Sequence, residues 1–66
     1  MFKNGQVWKD NAGRLAFRVV FVQPIDWDEM HVQFFLNGRP DEYIYQDVCV
    51  SDFEALATKK KWRVVA

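Results

Sequence analysis

The sequence predicts a mainly β fold, a five-stranded antiparallel barrel with one short helical turn between the fourth and fifth strands, in a single domain over residues 1–66. Three observations predict it. Residues 14–22 (RLAFRVVFV) form the longest run of β-branched and aromatic residues, bracketed by Gly13 and Pro24; such side chains fit a pleated surface and crowd a helix. Asn37-Gly38 directly follows the alternating stretch 30–36 and precedes the strand-like run 43–48, the strongest short signal for a tight hairpin. Ser51-Asp52-Phe53-Glu54 has the form of a helix capping box, in which Ser51 accepts from the third helical amide and Glu54 reaches back.

In chain order, residues 1–4 read as a lead-in and residues 5–9 as a short first strand. Asp10-Asn11-Ala12-Gly13 then suits a type I turn closed by a left-handed glycine. In the central strand Leu15, Phe17, Val19 and Phe21 share one face, yet Val20 and Val22 are apolar on the face of Arg18, so a bulge near Val19-Val20 is expected to swap the faces. Residues 24–29 (PIDWDE) read as a loop, because proline stops the ladder and three acids cannot all be buried. Residues 30–36 alternate, with Met30, Val32, Phe34 and Leu36 inward and His31, Gln33 and Phe35 outward. Residues 43–48 form the fourth strand, residues 52–59 the helical turns and residues 61–65 the last strand. The expected core is Phe17, Val19, Val32, Phe34, Ile44, Phe53, Leu56 and Val64.

The chain has 66 residues, and one this short buries only about 60 % of its unfolded surface. One cysteine permits no internal disulfide and fits a reducing, cytoplasmic location. Aromatic residues, at 17 % of the chain, supply the area instead. No apolar run reaches the roughly 18 residues of a membrane span. The net charge is zero but uneven: residues 1–22 carry +3, residues 23–54 carry −7 and residues 55–66 carry +4. Basic ends that meet would form a single basic face.

The pattern G-x-V-W-x-D-x-x-G-R (residues 5–14), the run to Val22, V-x-F-x-x-x-G (residues 32–38) and the S-D-F-E-A-L turn (residues 51–56) together resemble the small Src-homology-3-like barrels, more closely their Tudor-like branch. The same pattern is similar to short proteins of bacteriophages and prophages. The resemblance implies a non-enzymatic binding module acting as an adaptor, in a host cytoplasm if phage-encoded. Tudor-like modules hold methylated lysine or arginine in an aromatic cage by cation–π attraction. Trp8, Phe17, Phe34 and Tyr43 fall near such positions, but Leu36-Asn37-Gly38 stands where the family carries aromatic-Gly-Asn. The resemblance therefore leaves Trp8, Phe17 and Phe34 to the core and an aromatic surface, Tyr43 included, to a partner.

Chemistry-bearing residues are few. Ser51 is read as a helix cap, Cys49 as a partly buried thiol and His31 as a surface histidine beside acids. One histidine and one cysteine do not make a structural zinc site, and no cofactor is expected. Trp27, held between two acids in the loop, reads either as an exposed interface anchor or as a lid on the barrel end. Phe35 and His31 on the outward face of strand three, with Tyr43 beyond the hairpin, complete the candidate partner surface. The partner expected is another protein, a second copy of the chain included. The alternative is nucleic acid, bound through Lys59, Lys60, Lys61, Trp62 and Arg63, where cations would take phosphate and the ring would stack on a base. Against it, lysines at a helix C-terminus are favoured by the helix dipole alone.

Overall fold

The computed structural model describes residues 2–23 and 28–65. Five antiparallel strands make one sheet: β1 (Val7–Lys9), β2 (Leu15–Val22), β3 (Met30–Leu36), β4 (Arg39–Val48) and β5 (Arg63–Val64), with helix α1 (Val50–Lys60) before the last strand. The sheet order is β4-β3-β2-β1-β5. The two outer strands, β4 and β5, do not pair with each other, so the sheet is open where the sequence predicted a closed barrel.

Both turns form as their residues require. Asp10 accepts from the Ala12 and Arg14 amides through Oδ1 (2.9 Å each), and Arg14 Nε donates to Oδ2 at 3.1 Å. The Arg14 amide, together with the Ala12 amide and the Arg14 charge, holds the Asp10 carboxyl below its ordinary range. Gly13 sits at φ +85°, the left-handed residue expected there. Across the second hairpin Asn37 and Gly38 both have positive φ, 55° and 70°, which is what a two-residue turn matched to strand twist needs. Beyond it, Phe35 pairs with Tyr43 but Leu36 pairs with Arg39, so residues 40–42 bulge out of β4. A proline inside that bulge costs no ladder hydrogen bond.

The expected irregularity in β2 is present. Val19 pairs with Val32 and Phe21 with His31, leaving Val20 unpaired. After this bulge Val22 packs against the core and Phe21 turns outward, 42 % exposed.

The core consists of Phe2, Trp8, Phe17, Val19, Met30, Val32, Phe53 and Ala57. Phe17 is its centre, with ring centroids at 4.9 Å from Phe53, 5.5 Å from Trp62 and 5.7 Å from Trp8. Four of the eight predicted core residues are buried here, and Phe34 and Leu56 pack against the cluster. Ile44 and Val64 do not belong: they lie on the outer strands, 49 % and 46 % exposed, because the residues of α1 pack over the middle of the sheet and no described element covers its edges. Leu36, expected inward, is exposed at the hairpin for the same reason.

Phe2 corrects the reading of residues 1–4 as a mere lead-in. Its ring stands 5.1 Å from Trp8 and 5.8 Å from Phe53. The segment is held by Gly5 N to Val19 O and Val19 N to Gln6 O (2.8 Å each) and by Val22 N to Asn4 Oδ1 at 2.8 Å. These bonds use backbone groups of β2 on either side of the bulge, which would otherwise go unpaired.

Helix α1 is also longer than the turns predicted over residues 52–59. Its N-cap is Cys49, with no capping hydrogen bond from that side chain, so the Ser51–Glu54 box does not form. Asp28 does the capping from across the chain: its carboxylate accepts from Ser51 N (2.9 Å), Ser51 Oγ (2.6 Å) and Cys49 Sγ (2.8 Å). A carboxylate at a helix N-terminus satisfies open amides and opposes the dipole. The Cys49 and Ser51 hydrogen bonds lower the Asp28 pKa. At the other end Lys61 is left-handed (φ 59°), and Trp62 N to Ala57 O (3.0 Å) with Lys61 N to Thr58 O (3.2 Å) closes a Schellman motif.

Candidate functional site

Strand pairing builds one outer sheet face in three rows, because residues directly opposite across a ladder point the same way. Phe21, His31 and Asp47 form the first row, Arg18, Gln33 and Tyr45 the second, and Phe35 and Tyr43 the third. Three of the predicted partner residues, His31, Phe35 and Tyr43, therefore share this face. Trp27 lies outside the described residues.

The face is aromatic and open. Tyr45 is 66 % exposed, and the Tyr43 and Tyr45 rings meet edge to face at 5.3 Å. The neighbouring Tyr43 phenol raises the Tyr45 pKa, while the nearby Arg18 charge acts the other way. Phe21 stacks on the imidazole of His31, with centroids 6.3 Å apart. On its far side the face ends at β4, whose outer edge pairs with no other described strand. Sequence reading missed Arg18, Phe21 and Tyr45. The alternation of Tyr43 with Tyr45 was a usable signal, whereas Phe21 reaches this face only through the bulge at Val20.

His31 is tied at both ring nitrogens. Nδ1 contacts the Asp47 carboxylate, its cross-strand partner, and Nε2 stands 3.2 Å from the Gln23 amide nitrogen and 4.0 Å from Glu29 Oε1. The acidic neighbours of His31 are thus Glu29 and Asp47, while Asp28 is occupied at the helix.

A second feature is an open groove of about 670 Å³ at the hairpin end of the sheet, lined by Arg14, Leu15, Phe34, Phe35, Lys60 and Trp62 among others. Here two stretches of the basic ends meet, since Arg14 and Lys60 border the same space. Lys59, Lys60, Lys61 and Arg63 are exposed. Trp62, expected to stack on a base, instead packs its ring against Phe17 and Phe53 at 5.5 and 5.6 Å. Of the cage positions, Trp8 and Phe17 are core residues, Phe34 borders the groove and Tyr43 lies on the outer sheet face. Ser51 and Cys49 both donate to Asp28, and neither hydrogen-bonds a histidine among the described residues.

No described helix is long and apolar enough to cross a membrane. Comparison with protein-family models, with curated proteins and with solved structures returns no match.

Proposed function

We propose that this chain is a non-enzymatic binding module for another protein, an adaptor of the phage or prophage type that its sequence resembles. In this reading it is an open member of the Src-homology-3-like, Tudor-like small barrels. The order β4-β3-β2-β1-β5, with the helix before the last strand, supports that relation. The observation that carries the functional reading is the outer face of Arg18, Phe35, Tyr43 and Tyr45 beside the β4 edge, which pairs with no other described strand. Tyrosine and arginine are enriched among the residues that dominate interface energy. An unpaired edge offers backbone donors and acceptors to an added strand, and side-chain pockets beside it give selectivity.

The test is affinity capture with the wild-type chain and with a Tyr43→Ala/Tyr45→Ala variant, followed by titration of the purified captured protein. Both tyrosines are exposed, so the variant stays folded. The expected result is capture of a defined protein whose affinity falls at least about tenfold in the variant, the loss of one interface hot spot. A partner bound equally by the two chains sinks the assignment of the face.

Nucleic acid stands as the second reading, supported by Arg14 and Lys60 on one groove. Without the Trp62 ring it would rest on charge alone, and charge-only binding collapses as salt rises. Tight duplex or single-strand binding that persists at moderate salt, and is lost on charge reversal at Lys60 and Lys61, would place it first.

A further inference from the structure

We propose that Glu29, His31 and Asp47 form a surface site for one divalent transition-metal ion, of which Zn²⁺ is the probe. The argument starts from register. Glu29 lies two residues before His31, and Asp47 is the cross-strand partner of His31 on β4. Residues two apart in extended backbone and residues directly opposite point the same way, so Glu29, just before β3, and Asp47, 16 residues on from His31, both come to the His31 ring. One donor atom from each lies within 4.8 Å of the others.

Charge comes next. Among the described residues the only ion-pair partner of either Glu29 or Asp47 is His31, and no lysine or arginine pairs with them. With neutral imidazole the cluster carries two negative charges, and no described lysine or arginine forms an ion pair with either of them. A divalent cation matches that charge. The imidazole nitrogen selects a borderline ion over Mg²⁺ or Ca²⁺, which take oxygen ligands.

The roles divide by atom. Asp47 accepts from Nδ1–H, which fixes the tautomer and leaves the Nε2 lone pair for the metal; the same arrangement orients zinc-bound histidines generally. Nε2 faces Glu29 Oε1 at 4.0 Å, and a small rotation of this half-exposed carboxylate brings both donors onto one ion at about 2.1 Å. Gln23 stands 3.2 Å from Nε2. Turning its amide presents Oε1 as a third ligand, and water completes the shell. Phe21, stacked on the ring, limits its rotation. Asp47 is thus a positioning residue, and Glu29 and His31 are ligands.

The experiment is calorimetric titration of ZnCl₂ into the full chain, with MgCl₂ as comparison, on wild type, Cys49→Ser, His31→Ala, Glu29→Gln and Asp47→Asn. Wild type and Cys49→Ser are expected to bind one Zn²⁺ and no Mg²⁺. His31→Ala abolishes binding, Glu29→Gln weakens it at least about tenfold, and Asp47→Asn weakens it about 10–100-fold, the usual effect of removing such an orienting carboxylate. The two amide variants are isosteric and decide the matter even if His31→Ala does not fold. Nitrogen chemical shifts of the His31 ring supply a second readout, since metal on Nε2 moves that nitrogen and not the protonated Nδ1. The proposal is overturned by absence of saturable Zn²⁺ binding to wild type, by binding that survives Glu29→Gln unchanged, or by binding lost in Cys49→Ser. It stands or falls separately from the protein partner, because the probe is the metal alone.

Discussion

Replacing Phe2 by alanine is expected to remove a large share of the domain's stability, although Phe2 lies one residue from the start of the sequence. The ring is 7 % exposed and lies 5.1 to 6.1 Å from Trp8, Phe53 and Phe17. Full truncation of a buried phenylalanine costs about 3–5 kcal/mol. The ring keeps a little exposure and stands outside the strands and the helix, so its site can partly collapse, which argues for the lower figure, about 3 kcal/mol. A chain of 66 residues, at roughly 0.05–0.15 kcal/mol per residue, has about 3–10 kcal/mol in all. Urea unfolding followed by tryptophan fluorescence reads this directly, since Trp8 and Trp62 report on the same cluster. With a slope of about 1 kcal/mol per molar urea, the midpoint should fall by about 3 M, or the variant should be unfolded in buffer. Phe2→Leu, which refills most of the space, should lose only about 1 kcal/mol. A Phe2→Ala midpoint within about 0.5 M of wild type would show that the segment frays in solution and that the cluster closes without it.

Two further outcomes follow from the ends of α1. Asp28 is held ionised by the Cys49 thiol and by Ser51, so its folded pKa lies below its unfolded one. Its stabilisation is complete above the unfolded carboxylate range and is lost as pH falls through the lowered folded value; Asp28→Asn should therefore flatten the acid limb of a stability-against-pH curve, and an unchanged limb would refute the cap. Lys61→Gly relieves a left-handed residue and should raise stability by about 0.5–1 kcal/mol in the same urea assay, whereas a loss would show that the Lys61 side chain contributes more than its backbone costs.

What could be read from the chain was local. The β2 run, the β3 alternation, the Asn37-Gly38 turn and even the Val20 bulge depend on neighbours within a few residues, and the structure has each of them. What failed depended on distant partners. Ser51 and Glu54 have capping-box spacing, but the acceptor at that helix end is Asp28, 23 residues earlier. No periodicity marks Phe2 in a short lead segment, because its burial comes from bonds to β2. The candidate site divides the same way. His31 and Phe35 were placed outward by alternation alone, whereas their meeting with Arg18, Tyr45 and Asp47 needed the registers of β2 and β4.

Ile44 shows the limit of alternation most plainly, and it decides between an open sheet and a closed barrel. Period two says which face a residue is on, not whether anything covers that face. Ile44 pairs with Phe34 on the inner side, yet it is 49 % exposed, while Val32 on the same side is fully buried. Ile44→Ala removes three carbons, about 2.4 kcal/mol of transfer at roughly 0.8 kcal/mol each when fully buried. At half exposure, with no cavity left behind, about 1 kcal/mol remains. Val32→Ala removes only two carbons, about 1.6 kcal/mol of transfer, but leaves a cavity that raises the cost to roughly 2–3 kcal/mol. An open sheet thus predicts that the smaller truncation is the more damaging one. Closure of β4 onto the core in solution would bury Ile44 and reverse the order, with Ile44→Ala costing more than Val32→Ala. Chemical denaturation of the two variants side by side distinguishes these cases by sign, independent of the absolute scale.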